Sequence, residues 1–136
     1  MIQGINHITL SVRDIEQSFH FYEMILGMEP LEKWPMGAYL LAGDMWLALV
    51  VDEDVRELPL PEYTHIAFTV SQDNFVRMSQ QIIQNDTILW QENQTEGDSL
   101  YFLDPDGHKL EIHASDLTTR LQMAQERLWP GLKIFN

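Results

Sequence analysis

The sequence predicts an α+β fold made of two successive β-α-β-β-β modules, residues 1–57 and 58–136, with an extra helix closing the second. Three observations carry that prediction. Strand and helix periodicities follow one another in the same order in both halves. A His-Ile strand start occurs twice, at His7-Ile8 and His65-Ile66, 58 positions apart. Gly27 closes the first helix, and Asn85, again 58 positions on, stands at the end of the second. Two halves that agree are better evidence than either alone, because foldable sequences make consistent local choices.

The elements follow from residue patterns. Ile5 to Val12 alternates, with Ile8, Leu10 and Val12 on one face and His7, Thr9 and Ser11 on the other, as a strand requires. Asp14 is a helix cap, and Ile15, Phe19, Tyr22 and Leu26 form a helical stripe that Gly27 ends. Leu31 to Trp34, Ala38 to Ala42 and Trp46 to Val51 read as strands, parted by Pro35-Met36-Gly37 and Gly43-Asp44. The charged, proline-bearing stretch from Asp52 to Pro61 suits a linker. The pattern then restarts with a strand from Tyr63 to Val70 and a helix carrying Phe75, Met78 and Ile82. Strands follow at Ile88 to Gln91, Ser99 to Leu103 and Lys109 to His113, the last two joined by the turn Asp104-Pro105-Asp106-Gly107. A tail helix is expected from Asp116 to Trp129, capped by Ser115 or Asp116, with Leu117, Leu121 and Ala124 on one face and Arg120 on its flank; Pro130 stops it.

Composition narrows the function. At 136 residues the chain holds one compact unit with a real core, and 45% hydrophobic and 10% aromatic content are globular values. Without cysteine there is no disulfide, no thiolate metal site and no protein thiol nucleophile, so any sulfur chemistry needs a small-molecule thiol. No stretch approaches the ~20 apolar residues of a membrane span. The start lacks a signal peptide's charge and apolar run, and a soluble cytoplasmic protein is expected. Eight Lys and Arg against 21 Asp and Glu leave a formal charge of −13, which argues against a nucleic-acid partner. An anionic substrate would need locally concentrated positive charge, from a metal ion and one or two well-placed basic residues.

The candidate chemistry lies in three residues at matching places. Along Lys109 to His113, Glu111 and His113 share one face, and a carboxylate in so apolar a segment is costly unless it is paired or bound to a cation. Glu111 therefore joins His7 and His65 as a candidate divalent-metal site, two imidazoles and an acid with positions left for substrate. Each histidine alone is more often a packed or surface residue, and their repeat-related placement is what raises the odds. His113 is a candidate supporting partner of Glu111. His20 and His108 read as structural.

The segments Gly-Ile-Asn-His-Ile-Thr-Leu-Ser-Val (4–12), Gly-Ala-Tyr-Leu (37–40), Trp-Leu-Ala-Leu (46–49), Tyr-Thr-His (63–65), Glu-Gly-Asp-Ser (96–99) and Tyr-Phe-Leu-Asp-Pro-Asp-Gly-His-Lys-Leu-Glu (101–111) resemble the fosfomycin resistance proteins of the FosA type. These are glutathione transferases of the vicinal oxygen chelate (glyoxalase) superfamily. The resemblance runs nearly end to end, including the tail helix with its arginine. It implies a homodimer whose cupped sheets pair between chains, with Mn²⁺ held by His7 of one chain and His65 and Glu111 of the other. It also implies catalytic roles for Thr9, facing the oxirane oxygen, and Tyr39, which with Trp46 borders the thiol channel. Ser99, Tyr101 and Arg120 would hold the phosphonate, with Tyr63, Gln91 and Thr95 completing the substrate contacts. Asn93, Thr95, Glu96, Gly97 and Ser99 would match the family's K⁺ loop, and glutathione would be the co-substrate. Taken without the resemblance, Tyr39, Trp46 and Tyr101 read as core aromatics and 93–99 as a polar loop.

Departures from the family pattern carry their own expectation. Gln91 stands where a phosphonate-gripping lysine would fall, Gln94 where an arginine usually precedes the loop, Thr95 for serine, and Ile66 for a tyrosine. A charge-assisted hydrogen bond is worth roughly 1.5–3 kcal/mol, so roughly ten- to hundredfold weaker fosfomycin binding, or a related substrate, is expected. Other readings fare worse. The family's hydrolase branch needs a carboxylate near Gly37, and no acid lies between Lys33 and Asp44. Glyoxalase I generally takes a fourth ligand from the strand matching Trp46 to Val51, which is apolar here. Extradiol dioxygenases share the two-His, one-Glu set but are usually about twice this length or lack the arginine-bearing tail. A bleomycin-binding-like dimer that sequesters a drug would need no metal triad.

Overall fold

The computed structural model describes residues 1–127 and 129–135. The first half contributes β1 (His7–Val12), α1 (Ile15–His20), β2 (Glu29–Trp34), β3 (Gly37–Ala42) and β4 (Met45–Val51). The second contributes β5 (Ile66–Thr69), α2 (Gln72–Gln84), β6 (Leu89–Gln91), β7 (Ser99–Leu103), β8 (Lys109–His113) and the tail helix α3 (Leu117–Glu126). Each half forms one four-stranded mixed sheet, in the orders β1-β4-β3-β2 and β5-β8-β7-β6, with the first pair parallel and the rest antiparallel. The two β-α-β-β-β units expected from the sequence are therefore the fold. No helix among the described residues is long and apolar enough to cross a membrane.

Register makes the duplication explicit. Thr9, Ala48 and Tyr39 lie side by side across the first sheet, and Ala67, Glu111 and Tyr101 across the second. Residues in one row point to one face, so Ala48 is the counterpart of Glu111, and Tyr39 of Tyr101. The opposite faces, carrying Leu10, Val12, Leu40, Leu47, Leu49, Phe102, Leu110 and Ile112, meet the helices in one core that spans both halves.

Several boundaries differ from the expectation, each for a physical reason. Asp14 caps α1 as expected, its Oδ1 accepting from the backbone of Glu16 and Gln17. After His20 the helix widens into a π-turn over Phe21–Ile25, with Leu26 N donating to Phe21 O at 3.0 Å. The stripe moves with it: Phe21, Tyr22 and Ile25 are buried, while Phe19 and Leu26 are half-buried. Gly27, at φ +74°, ends the helix, but at the second helix end it is Asp86 (φ 58°), not Asn85, that takes the left-handed conformation. Asn85 instead folds its side chain back onto Gln81 O at 2.7 Å. β1 starts at His7 rather than Ile5 and β5 spans only Ile66–Thr69, leaving Tyr63 and His65 just before it; β6 lacks Ile88. α3, capped by Asp116, ends at Glu126 rather than Trp129. Proline disfavours the helical conformation in the residue before it, which keeps Trp129 out of the helix. Position 128, inside the expected helix, lies outside the described residues. Of the expected apolar face only Ala124 is buried; Leu117 and Leu121 are exposed.

The halves are joined by a buried polar clasp. Tyr22 donates to Asp104 Oδ2 at 2.6 Å, Ser18 Oγ and the Arg13 backbone donate to Asp106, and His108 Nε2 meets Ser11 O at 2.8 Å. His108 is thus structural, as expected. Asp104 also accepts the backbone N–H groups of Asp106 and His108, which shapes the β7–β8 turn. Gly107, at φ +84°, lets that turn approach Pro59, whose nitrogen would stand 3.2 Å from a β-carbon there.

Candidate metal centre

The outer face of the second sheet gathers most of the expected site. Alternation along β8 sends Leu110 and Ile112 into the core and Glu111 to the opposite face, where its side chain is 7% exposed. Ser99 donates to Glu111 Oε2 at 2.6 Å. Since a serine has one proton and gives it to the carboxylate, the 2.5 Å contact to His113 Nδ1 requires that nitrogen to carry a proton. His113 thereby supports Glu111 through Ser99.

His65 faces acceptors on both ring nitrogens: Nδ1 lies 3.3 Å from Tyr63 O and Nε2 2.9 Å from Glu111 Oε1. A neutral imidazole has one proton and can satisfy only one of them. A cation bound at Nε2 and Oε1 would satisfy both. Imidazole nitrogen and carboxylate oxygen are suitable donors for Mn²⁺ and its neighbours, so the pair fits a divalent ion. Among the described residues no three His, Cys, Asp or Glu side chains cluster as a metal site within the single chain. His7 stands exposed on the first sheet in the place matching His65. Its Nδ1 lies 2.7 Å from Asn6 Oδ1, an acceptor that fixes the proton there and leaves Nε2 a free lone pair.

Aromatic rings surround both histidines. In the first sheet, His7 lies 4.4 Å from Trp46, Trp46 5.1 Å from Tyr39, and Tyr39 4.9 Å from Trp34. In the second, His65 lies 5.4 Å from Trp90 and 5.9 Å from Tyr101, with Tyr63 at 5.2 Å. Thr9 is exposed, and Tyr39 and Trp46 are half-buried on the face that carries His7. The Trp46 indole N–H is buried without a hydrogen-bond partner among the described residues. Gln91 Nε2 donates to the Tyr63 hydroxyl at 2.9 Å. Tyr101 is buried, which raises its phenol pKa; the Glu111 charge adds to this, while the Thr95 and Ser99 hydroxyls work against it. Gly37, near which a hydrolase's carboxylate would fall, has no space for a side chain: a β-carbon would meet Leu49 O and the Trp34 ring at 2.7 Å.

The 93–99 loop closes over this face. Asn93 Oδ1 accepts from the Thr95 backbone and hydroxyl, and its amide donates to Gly97 O at 2.9 Å. Gly97, at φ +72°, lies so close to Ser115 that a β-carbon would meet it at 2.8 Å. Glu96 points inward to Arg120 on α3, Oε2 to Nε being 2.5 Å, although that N–H finds no aligned acceptor among the described residues. Burial works against the Glu96 charge, but the Arg120 guanidinium, a backbone N–H and His113 hold its carboxyl below the usual range. Pairing with Glu96 in turn raises the Arg120 pKa. Sequence reasoning named both residues but missed that they pair, and it overlooked Trp90 and Lys109. Strand alternation with Glu111 was the available signal for Lys109.

The Glyoxalase/Bleomycin resistance protein/Dioxygenase superfamily model matches residues 4–112. Glutathione transferase FosA of Serratia marcescens is 43% identical over 134 residues, 97% of this chain and 95% of that protein. Metallothiol transferase FosB of Lysinibacillus sphaericus is 40% identical over 124 residues, 88% of each. The crystal structure of the fosfomycin resistance protein FosX of Listeria monocytogenes, complexed with Mn(II) and sulfate, superimposes with a TM-score of 0.80 at 28% identity, covering 90% of this chain and 98% of that one.

Proposed function

From the premise that this chain belongs to the Glyoxalase/Bleomycin resistance protein/Dioxygenase superfamily and, within it, to the fosfomycin resistance proteins, we propose that it adds glutathione to the epoxide of fosfomycin. The observation that carries this reading is the near end-to-end likeness to a glutathione transferase, 43% identical over 97% of the chain. The thiol sulfur attacks a ring carbon, the carbon–oxygen bond of the epoxide breaks, and the freed oxygen takes up a proton to balance the one the thiol loses.

The working unit is a cytoplasmic homodimer in which modules 1–57 and 58–136 of different chains share each site. His65 and Glu111 of one chain, with His7 of its partner, would hold Mn²⁺ or a similar divalent ion. Such an ion supplies Lewis acidity where the epoxide oxygen gains negative charge. The Thr9 hydroxyl donates a hydrogen bond to that oxygen, and Tyr39, beside Trp46, orients the thiol. Arg120, Ser99 and Tyr101 receive the phosphonate, with Tyr63, Gln91 and Thr95 at its border. Arg120 contributes a planar fork of donors suited to such an anion. Asn93, Thr95, Glu96, Gly97 and Ser99 form the loop that K⁺ would order. With no cysteine in the chain, binding glutathione in line with the ring carbon is the protein's main contribution to attack.

The test is turnover of fosfomycin with glutathione, followed by ³¹P NMR with and without Mn²⁺, beside His65→Ala and with L-cysteine as a competing thiol. Product formation that needs Mn²⁺ and falls at least about a hundredfold in His65→Ala is expected. No product with any thiol would end the reading.

A further inference from the structure

We infer that Lys109 is a second anion-gripping residue of this site, holding an oxyanion of a substrate alongside the one received by Arg120. This rests on the function proposed above. The argument begins with charge. The protein carries −13 formally and has eight Lys and Arg in all. Among the described residues, two of these contact the side chains next to Glu111 and His65: Arg120, through Glu96, and Lys109, through Trp90. Arg120 is already paired with the buried Glu96 carboxylate, so much of its charge is offset within the protein. Lys33, by contrast, is spent on Glu16 behind the first sheet.

Lys109 has no carboxylate partner among the described residues. Its Nζ donates to the Glu62 carbonyl at 2.7 Å and sits 5.2 Å above the Trp90 ring. A carbonyl and a π-face orient an ammonium without neutralising it, and two of its three donors remain free. The Trp90 ring that positions it lies 5.4 Å from His65 and 5.2 Å from Tyr101. The side chain is half-buried, so its charge is reachable from solvent.

Register supplies an independent argument. Lys109 precedes Glu111 by two on β8 and so shares its face. In the first sheet His7 stands opposite Trp46, whose ring touches it at 4.4 Å. Extending the Ile66–Leu110 pairing by one residue sets His65 opposite Lys109. In register, the duplicated fold thus sets Trp46 opposite one candidate metal histidine and Lys109 opposite the other. Fosfomycin brings a phosphonate and glutathione brings carboxylates; either is an oxyanion that an unpaired ammonium there would hold.

Calorimetric titration of the full Mn²⁺-loaded protein with inorganic phosphate, fosfomycin and unreactive S-methylglutathione separates the sources. Lys109→Met is expected to weaken phosphate and one of the two substrates by about tenfold, and Lys109→Arg to restore most of that loss. The substrate affected names the oxyanion. Lys133→Met, which removes a charge from the tail, should leave all three unchanged. Near-equal affinities in wild type and Lys109→Met for every ligand, with both proteins folded by circular dichroism, would overturn the inference. Equal losses in Lys133→Met would do so too, by reducing the effect to net charge. If wild type binds neither fosfomycin nor S-methylglutathione, the proposed function fails instead, and phosphate affinity still decides Lys109.

Discussion

Tyr22→Phe tests the contact that ties one half of the chain to the other. It removes a single oxygen from a ring that is fully buried, leaving the packing against Phe21 intact. That oxygen donates at 2.6 Å to Asp104, 82 positions away, and Asp104 is itself 5% exposed. Burial and the neighbouring Asp104 charge push the Tyr22 phenol far above its ordinary pKa, so it remains a donor across the working pH range. Asp104 keeps its two backbone donors but loses the one side-chain hydroxyl that reaches it among the described residues. A hydrogen bond to a charged group contributes roughly 1.5–3 kcal/mol, and a carboxylate oxygen left unsatisfied in the core adds to the cost. For a chain of this size each kcal/mol moves the melting midpoint by roughly 3–5 °C, so a fall of roughly 5–15 °C is expected. Urea unfolding at fixed protein concentration should show the same loss as a lower midpoint with unchanged slope. A cycle with Asp104→Asn should give a coupling energy of about 1 kcal/mol or more. A Tyr22→Phe protein melting within about 1 °C of its parent would refute the reasoning, since an unmade bond to a buried carboxylate cannot be free.

Glu96→Gln should alter how stability depends on pH. The Glu96 carboxyl is held below its ordinary pKa, so its contribution is present above the usual carboxylate range and lost as pH falls through the lowered value. The stability gap between wild type and variant should be full at neutral pH and close below about pH 4; a gap that does not change with pH would contradict the pairing with Arg120. Gln91→Lys should lower the fosfomycin KM by about tenfold at little-changed kcat, read from steady-state kinetics, because it restores a cation in the row of Tyr101 and Glu111. Identical saturation curves would dismiss Gln91 as a source of weak binding. Gly97→Ala combines a positive φ with a 2.8 Å approach to Ser115 and should loosen the 93–99 loop. Faster amide exchange at Asp98 and Ser99 is the expected sign, and unchanged exchange would mean that the backbone can yield there.

Strands were legible because alternation is a local signal: Leu10 and Val12 against His7 and Thr9 is enough to place β1 and its faces. The meeting of His65 and Glu111 was legible for the same reason, once the halves were set against each other; His7 stands apart from them within the single chain. The π-turn after His20 was not. It arises where Phe21, Tyr22 and Ile25 are all drawn into a core completed by Phe102 and Leu110, and Tyr22 reaches a carboxylate from the other half. Nothing within a few residues of Tyr22 encodes that pull. Asn85 ends the second helix as expected, but the left-handed conformation, which Asn and Asp both tolerate, falls one residue on at Asp86. Asn85 had the better alternative, a bond to Gln81. The Glu96–Arg120 pair joins a loop to a helix that starts some twenty residues later, a juxtaposition no periodicity announces.

The register explains why a duplicated fold carries its charges unequally. Ala48 holds the first-half place of Glu111 and is 4% exposed. A carboxylate there would be buried beside Tyr39 and Thr9 without a hydroxyl to receive it, since Gly37 holds the first-half place of Ser99 and the His7 ring lies against Trp46. An unpaired buried charge costs several kcal/mol, whereas Glu111 has Ser99 and His65 to receive it. The first sheet therefore offers one imidazole among rings, and the second the imidazoles of His65 and His113, an acid and two cations. Among the described residues neither face alone clusters three His or acid side chains as a metal site, and their donor sets are complementary. That complementarity supports the pairing proposed above, in which His7 of one chain would add a second nitrogen, and a third donor, to His65 and Glu111 of another.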